Sequence, residues 1–260
     1  RPVDQGNFHA IDRKVMRHAF DVHNTLGRFY DESIYQTDMA RRCGHELAAT
    51  REVQVTATHQ GFSKSYYLDL LINKGVIYEF KAVDALDGAH EKQLINYLFL
   101  TGLSHGKLVN FRTTSVESRF ISTSLTYADR LDYSIDDTCW KCANTADRTL
   151  RHALVCLLDD WGACLELSLY REGLLHLLRN VGAGMRRVDV LSEDGWIGHQ
   201  KVCLLTDDTI WHLSAIPRGM QSYRNHIARL LSHMPIKRAQ WINMHQRNIA
   251  LTTIHVPDSR

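Results

Sequence analysis

The chain has 260 residues, 44% hydrophobic and 23% charged, which is the composition of an ordinary globular protein with one large domain or two smaller ones. A net charge of +2 excludes a uniformly basic nucleic-acid binder, so any basic surface must be local. The opening segment RPVDQGNF lacks the apolar core of a signal peptide, and no run is long enough to span a membrane. Six cysteines without a secretory signal favour a reducing, cytoplasmic location.

Two helices are predicted at the start of the chain. Apolar residues repeat at helical spacing between 14 and 26: Val15, Ala19, Val22 and Leu26. A second helix is predicted from Asp31 to Cys43, with Glu32 in its first turn. By itself Glu32 indicates no site, because a carboxylate there interacts favourably with the helix dipole.

A β-hairpin is predicted around the turn sequence NKG at 73–75, because a short apolar run lies on each side of it. A three-residue loop with Gly75 at positive φ would place Asp69 opposite Glu79. Lys81 shares the strand face of Glu79, because side chains alternate along a strand. The hairpin should therefore bring two carboxylates and an ammonium to one side of a sheet.

Two readings of these charges are open. The hairpin lies on the surface and carries a salt bridge, or its carboxylates share a cation, since like charges that close repel each other. Two features favour the second reading. The apolar run 75–83 is typical of a central strand, where a buried charge is unfavourable unless it is paired or binds a metal ion. Gln93 and Tyr97 also share one face of the next predicted helix, over 89–100.

Asp69 followed by Glu79-Phe80-Lys81 resembles the signature of PD-(D/E)XK nucleases. Gln93-x-x-x-Tyr97 is similar to the extra motif of the recombination-helicase exonuclease branch. Within that superfamily, residues 15–121 most resemble the small bacterial GxxExxY proteins, although Phe29 stands where the first glycine of the name motif is expected.

The resemblance implies an α/β fold with a restriction-endonuclease-like core, which is a mixed central sheet flanked by helices. It implies that Glu32, Asp69 and Glu79 bind Mg²⁺ or Mn²⁺, a choice that suits hard oxygen ligands. Lys81 would assist the attacking water, and Gln93 and Tyr97 would position the substrate backbone or support the site. The domain assigned to this fold spans residues 1–123.

Residues 124–148 are polar and mostly aperiodic, and they predict a linker. They contain Cys139-Trp140-Lys141-Cys142, which has the spacing of half a zinc site. His152 and Cys156 are candidates for the other half. A single CxxC is a weak signal, and a zinc site is the less favoured interpretation.

The second half, 149–260, repeats the pattern of the first at an offset of about 133 residues. It predicts a degenerate second copy of the fold, in which the residues corresponding to Glu32, Asp69, Glu79, Lys81, Gln93 and Tyr97 are, in that order, Leu167, Val202, His212, Ser214, His226 and Leu230. The alternative is two unrelated α/β segments. The duplicated chain would act as a monomeric pseudodimer or as a homodimer.

The function predicted from these observations is metal-dependent hydrolysis of phosphodiester bonds, in DNA. The alternatives are a catalytically silent nucleic-acid-binding module and a structural or interaction protein. Phosphate contacts come from Arg and Lys, and the second half carries Arg186, Arg187, Lys201, Arg218, Arg224, Arg229, Lys237, Arg238 and Arg247. Among these, Lys237 and Arg238 are the predicted nucleic-acid contacts. The alternative for the whole set is solvated surface charge.

Overall fold

The chain is described by a computed structural model covering residues 3–256, and it divides into two compact units. The first comprises residues up to 127 without 59–62, and the second comprises 59–62 and residues from 128 onward. Each unit is α/β and contains a mixed sheet flanked by helices, as predicted. Within the described range, no helix has the length and apolar character that a membrane crossing requires.

The elements of the first unit, in chain order, are α1 (Gln5–Leu26), α2 (Glu32–Cys43), β1 (Ala49–His59), β2 (Phe62–Ile72), β3 (Val76–Lys81), α3 (Gly88–Thr101), β4 (His105–Asn110) and β5 (Glu117–Ser122). The strands follow one another across the sheet in the order β1-β2-β3-β4-β5. Strand β3 runs antiparallel to β2 and parallel to β4. Every residue of β3 is buried, which confirms the predicted central strand.

Helices cover both faces of this sheet. Buried residues of α1 and α2, among them Val15 and Tyr35, pack against β2, β3 and β4. Helix α3 lies against β3, β4 and β5, and it approaches β4 so closely that a Cβ at Gly106 would lie 2.9 Å from Leu94 Cδ1. Helix α1 begins well before the predicted residue 14, because Asp4 caps it and Phe8 continues its buried stripe.

The α-helices and strands from the boundary onward are α4 (Tyr127–Leu131), whose first residue still belongs to the first unit, β6 (Ser134–Cys139), α5 (Thr145–Trp161), α6 (Leu167–Leu177), β7 (Gly184–Ser192), β8 (Gly195–Thr206), β9 (Thr209–Ser214), α7 (Met220–Ser232), β10 (Arg238–His245) and β11 (Asn248–His255). A short 3-10 helix, Arg179–Val181, lies between α6 and β7. The sheet order is β6-β11-β10-β9-β8-β7. Residues 124–148 are therefore not an aperiodic linker. They contain α4, the edge strand β6, and the capped start of α5 at Asn144.

The two units share their element order and their strand register. From α1 to β5, the first unit has the same succession of helices and strands as the second has from α5 to β11. Adding 133 to the paired residues Leu70 and Tyr78 gives Cys203 and Trp211, which are also paired. The same shift carries the parallel pair Tyr78 and Lys107 onto Trp211 and Gln240.

Two side-chain devices also recur in both units. Tyr35 Oη donates to the carbonyl of Gly27, which ends α1, at 2.9 Å, and Tyr170 Oη donates to the carbonyl of Gly162, which ends α5. Asn110 bonds both the N–H and the carbonyl of Val83, at 3.1 and 2.7 Å.

Asn243 bonds both backbone groups of Ile216 in the same way, at 2.8 and 3.1 Å. In each unit one asparagine side chain therefore fixes the segment that follows the central strand.

Candidate active site

The hairpin formed by β2 and β3 has the predicted register. Leu70 pairs with Tyr78, and Ile72 pairs with Val76 across a loop of three residues. The expected conformation of the loop is wrong in one respect, because Asn73 and Lys74, at φ 51° and 54°, take the left-handed conformation instead of Gly75. Asn tolerates the left-handed conformation better than most residues. Here the Asn73 side chain is also held by a distant segment, because its Oδ1 accepts the N–H of Ala48 at 3.1 Å.

Beyond Leu70 and Tyr78, two carboxylates take over the hydrogen bonds that a strand ladder would make. Asp69 Oδ2 accepts the backbone N–H of Phe80 at 2.8 Å. Glu79 Oε1 accepts the backbone N–H of Asp69 at 3.2 Å. The two carboxylates are thus held side by side by backbone donors, in a geometry set by the hairpin register.

The Lys81 ammonium joins this pair to helix α2. Its Nζ lies 3.7 Å from Glu79 Oε2 and 3.7 Å from Glu32 Oε1. The Glu79 and Lys81 side chains are only 1% and 9% exposed, whereas that of Glu32 is 37% exposed. The charged group is therefore recessed, and among these three side chains Glu32 is the one open to solvent.

Burial disturbs the ionisation of both carboxylates. Burial, together with the negative charge of Asp69, raises the pKa of Glu79 to about 8, although the Lys81 ammonium opposes the change. Burial also raises the pKa of Asp69 to about 6, against the Phe80 N–H and Lys81. One nearby ammonium does not compensate for two buried carboxylates, so the pair favours either a proton or an added cation.

The structure adds Gln36, which the sequence reasoning missed. Its side chain hydrogen bonds to Asp69, which lowers the pKa of that carboxyl, and its Nε2 donates to Glu32 Oε1 at 3.3 Å. Gln36 follows Glu32 by one helical turn, and this i, i+4 spacing alone indicates that both side chains lie on one face of the helix. Helix α2 therefore contributes two polar side chains to the carboxylate pair of the hairpin.

Gln93 and Tyr97 meet on one face of α3, as their spacing predicts. Gln93 Nε2 donates to Tyr97 Oη at 2.9 Å, and the Tyr97 ring packs edge-on against Tyr66 at 6.0 Å between centroids. The amide and the phenol form one hydrogen-bonded unit on the helix that follows β3.

The donor set suits a hard divalent cation in part. Asp69 and Glu79 supply carboxylate oxygens, and Mg²⁺ is commonly held by one or two carboxylates and several waters. Between residues 3 and 256, no three His, Cys, Asp or Glu side chains are grouped closely enough to hold an ion together. Glu32 is joined to Glu79 through Lys81 in this geometry and does not form a third member of a compact cage.

The cysteines considered as zinc ligands, all within the described range, are not grouped into a metal site either. Cys156 Sγ lies 3.6 Å from His152 Nε2, and Cys139 and Cys142 are exposed thiols. In the described part of the chain these residues form no metal-binding group.

The equivalent position in the second unit has no carboxylate pair. His212 stands at the place of Glu79, and its Nε2 lies 2.6 Å from Tyr223 Oη. Burial lowers the pKa of His212, with a smaller contribution from Arg171. Ser214, at the place of Lys81, donates to Asn243 at 2.7 Å. Hydrogen bonds between His212 and Tyr223 and between Ser214 and Asn243 occupy these positions in place of a charged group.

The two residues predicted to contact nucleic acid differ in their surroundings. Lys237 is exposed and lies 3.4 Å from Asp208 Oδ2. Arg238 is buried, and its Nη1 donates to the fully buried Asp147 at 2.8 Å. The prediction for Arg238 is wrong, because a guanidinium used in a buried ion pair is not available to a phosphate.

Comparisons with known proteins find a family match in the first half of the chain. Residues 9–121 match the family model of the PD-(D/E)XK nuclease superfamily. No curated protein matches the chain significantly. Three chains of solved structures match. One of them, titled "Crystal structure of SSO0001", is 21% identical to this chain and has a TM-score of 0.31. The matched region covers 48% of this chain and 65% of that chain. This chain thus spans less than two thirds of that protein.

Proposed function

We propose that the first unit is a metal-dependent nuclease that hydrolyses phosphodiester bonds, with DNA as its substrate. The observation that carries the proposal is the carboxylate pair of Asp69 and Glu79, with Lys81 3.7 Å from Glu79. This group lies inside the segment that matches the PD-(D/E)XK nuclease superfamily. Perturbed titratable groups on a buried strand are typical of a functional site.

Asp69 and Glu79 would hold a Mg²⁺ or Mn²⁺ ion. Glu32, whose carboxylate lies 3.7 Å from the Lys81 ammonium, would have to turn from that ammonium to complete the ion's shell from α2. When bound, such an ion polarises a phosphate and lowers the pKa of water attached to it. The protein contributes orientation: the Phe80 and Asp69 amides fix one carboxylate oxygen each. Because these backbone bonds already fix the orientation of each carboxylate, little side-chain entropy would be lost when the second oxygen of each binds an ion.

Lys81 would supply positive charge where negative charge develops during hydrolysis. Its ammonium is held between Glu79 and Glu32, and its side chain is almost fully buried. A charge in such an environment acts more strongly than in water because the local dielectric constant is low. Gln93 and Tyr97 would position the substrate backbone or support the site.

The second unit would be a degenerate copy of the first, GxxExxY-like unit, and would have arisen by duplication within this chain. The constant shift in register, the paired tyrosine bonds and the paired asparagine bonds support common descent. In this proposal the copy has lost its metal site and kept its hydrophobic framework, and the chain would act as a monomeric pseudodimer or as a homodimer.

A nucleic-acid-binding module without turnover is the second candidate. The burial of Glu79 and Lys81 favours it, because a substrate phosphate must reach a recessed group. Cleavage assays on single- and double-stranded DNA and RNA, with Mg²⁺ or Mn²⁺, distinguish the two. We expect cleavage of DNA that EDTA and Glu79→Gln abolish. Binding without cleavage under all conditions would select the silent module.

Lys237→Ala is expected to weaken DNA binding several-fold. The exposed Lys237 ammonium would neutralise a DNA phosphate and release the counterions condensed on it. The slope of log Kd against log salt should fall by about 1. Measurement by fluorescence anisotropy over a salt series checks this, with Lys74→Ala, in the hairpin loop, as the control. An unchanged slope would show that Lys237 is a solvated surface charge that does not contact DNA.

A further inference from the structure

The loop between α1 and α2, residues 27–31, exposes two aromatic side chains. Phe29 is 76% exposed and Tyr30 is 50% exposed. Large aromatic rings in contact with water are unfavourable unless they meet a partner, so adjacent exposed rings indicate a contact surface.

This loop is held in place by the core beneath it. The buried Tyr35 donates its hydroxyl hydrogen to the Gly27 carbonyl at 2.9 Å, and its oxygen accepts the Tyr30 N–H at 3.1 Å. The Tyr35 ring stacks on Phe111, with centroids 4.6 Å apart. The rings at 29 and 30 are therefore presented from a fixed backbone, which reduces the entropy lost when a ligand binds.

The second unit shows that this loop shape does not require exposed aromatic rings. Its equivalent loop follows Gly162 and is anchored by Tyr170 in the same way. Where the first unit has Phe29 and Tyr30, this loop has Cys164 and the buried Leu165. The exposed rings thus accompany the unit that has the carboxylate pair.

The loop leads directly into the charged group. Glu32 begins α2, is the most exposed of the three charged side chains joined by Lys81, and lies 3.7 Å from its ammonium. Glu79 and Lys81 themselves are recessed. Residues 29 and 30 come three and two positions before Glu32, so their loop adjoins the exposed end of this charged group in the chain.

We propose that Phe29 and Tyr30 form a stacking platform for unpaired nucleobases, so that the site prefers single-stranded nucleic acid. The Arg28 guanidinium lies over one face of the Phe29 ring, 5.0 Å from its centroid, so a base would stack on the opposite face, and the guanidinium would add positive charge for the neighbouring phosphates. Bases in a duplex present their faces only to one another, so they cannot use such a platform. The placement of the platform beside a phosphate-binding group rests on the proposed function.

The test uses the full chain carrying Glu79→Gln, so that binding is measured without cleavage. Phe29→Ala is expected to weaken binding of labelled oligo-dT or oligo-U about tenfold, the effect of losing one stacked base, and to leave duplex DNA binding unchanged. Phe20→Ala, the same change at an exposed residue of α1, is the matched control. A single strand with abasic sites should bind the parent at least as weakly as oligo-dT binds Phe29→Ala, because it offers no base to either ring.

A second variant, Phe29→Trp, gives a direct signal. Its indole fluorescence should be quenched by oligo-dT and not by the abasic strand. Equal losses on single and double strands, no loss, or no quenching would overturn the proposal. So would conversion of a dimer to a monomer by Phe29→Ala in sedimentation without a change in binding, because the loop would then be a protein interface.

These outcomes are separate from those of the nuclease assay. Cleavage by the parent chain with no effect of Phe29→Ala would leave the proposed nuclease standing and remove the platform. Quenching by single strands, without cleavage by the parent chain, would support the platform and remove the proposed nuclease activity.

Discussion

Lys81→Met is expected to lower kcat for DNA cleavage about 10²–10³-fold, the usual loss when a preorganised group that stabilises transition-state charge is removed. The unbranched Met side chain keeps much of the packing and removes the charge. Glu79 and Glu32 then lose the ammonium 3.7 Å from each of them. Single-turnover cleavage at saturating Mn²⁺ measures the loss.

Two controls separate chemistry from folding in this experiment. Lys74→Met makes the same change in the exposed hairpin loop and should leave kcat unchanged. Stabilisation by Mn²⁺ should persist in Lys81→Met and increase, because the ion would replace the missing positive charge. A variant that retains parental kcat would show that Lys81 only stabilises the fold.

Glu79→Gln is expected to stabilise the metal-free protein at pH 8 and to have little effect near pH 4. The pKa of Glu79 is raised to about 8 in the folded state by burial and by Asp69. In the unfolded state this carboxyl has an ordinary pKa near 4.5. Its contribution to the free energy of unfolding is therefore complete below about pH 4.5 and is lost as the pH rises to about 8.

Glutamine has no proton to lose, so the difference between the variant and the parent should grow across this pH window. Thermal melts in EDTA should show a Tm at least about 5 °C higher for Glu79→Gln at pH 8, because one pKa unit corresponds to about 1.4 kcal/mol. Glu193→Gln, at an exposed turn, should show no such trend. A constant Tm difference at all pH values would assign the effect to packing.

The same variant tests the metal site. Mg²⁺ or Mn²⁺ at pH 8 should raise the Tm of the parent, because an ion that binds only the folded state stabilises it by mass action. This rise should be largely absent in Glu79→Gln and retained in Glu193→Gln. An equal rise in all three proteins would place the ion elsewhere.

The sequence by itself was sufficient for the hairpin and for the helix that follows it. The turn at 73–75 sets the register of β2 and β3, and register decides that Asp69 lies beside Glu79. Gln93 and Tyr97 meet because they are one helical turn apart. Each of these relations depends on residues close together in the chain, whose geometry follows from strand and helix periods.

Only the tertiary structure decided which charges are available to a ligand. Arg238 and Lys237 are neighbours in sequence, yet one is buried against Asp147 and the other is exposed. Asp147 lies in the first turn of α5, and its carboxylate accepts hydrogen bonds from Arg238 and Gln240, two side chains of β10 that are more than 90 residues away in sequence. Gln36 likewise reaches Asp69 only because α2 packs near the end of the hairpin.

The segment 124–148 shows the same limit. Its polar, aperiodic residues carry no strong local signal, yet β6 forms because the edge of β11 offers unpaired backbone groups to it. Local periodicity determined the carboxylate pair, the central strand and the helical faces. Burial, ion pairing across long sequence separations and the pairing of an edge strand depend on which surfaces meet, and a pattern of residues along the chain does not contain that information.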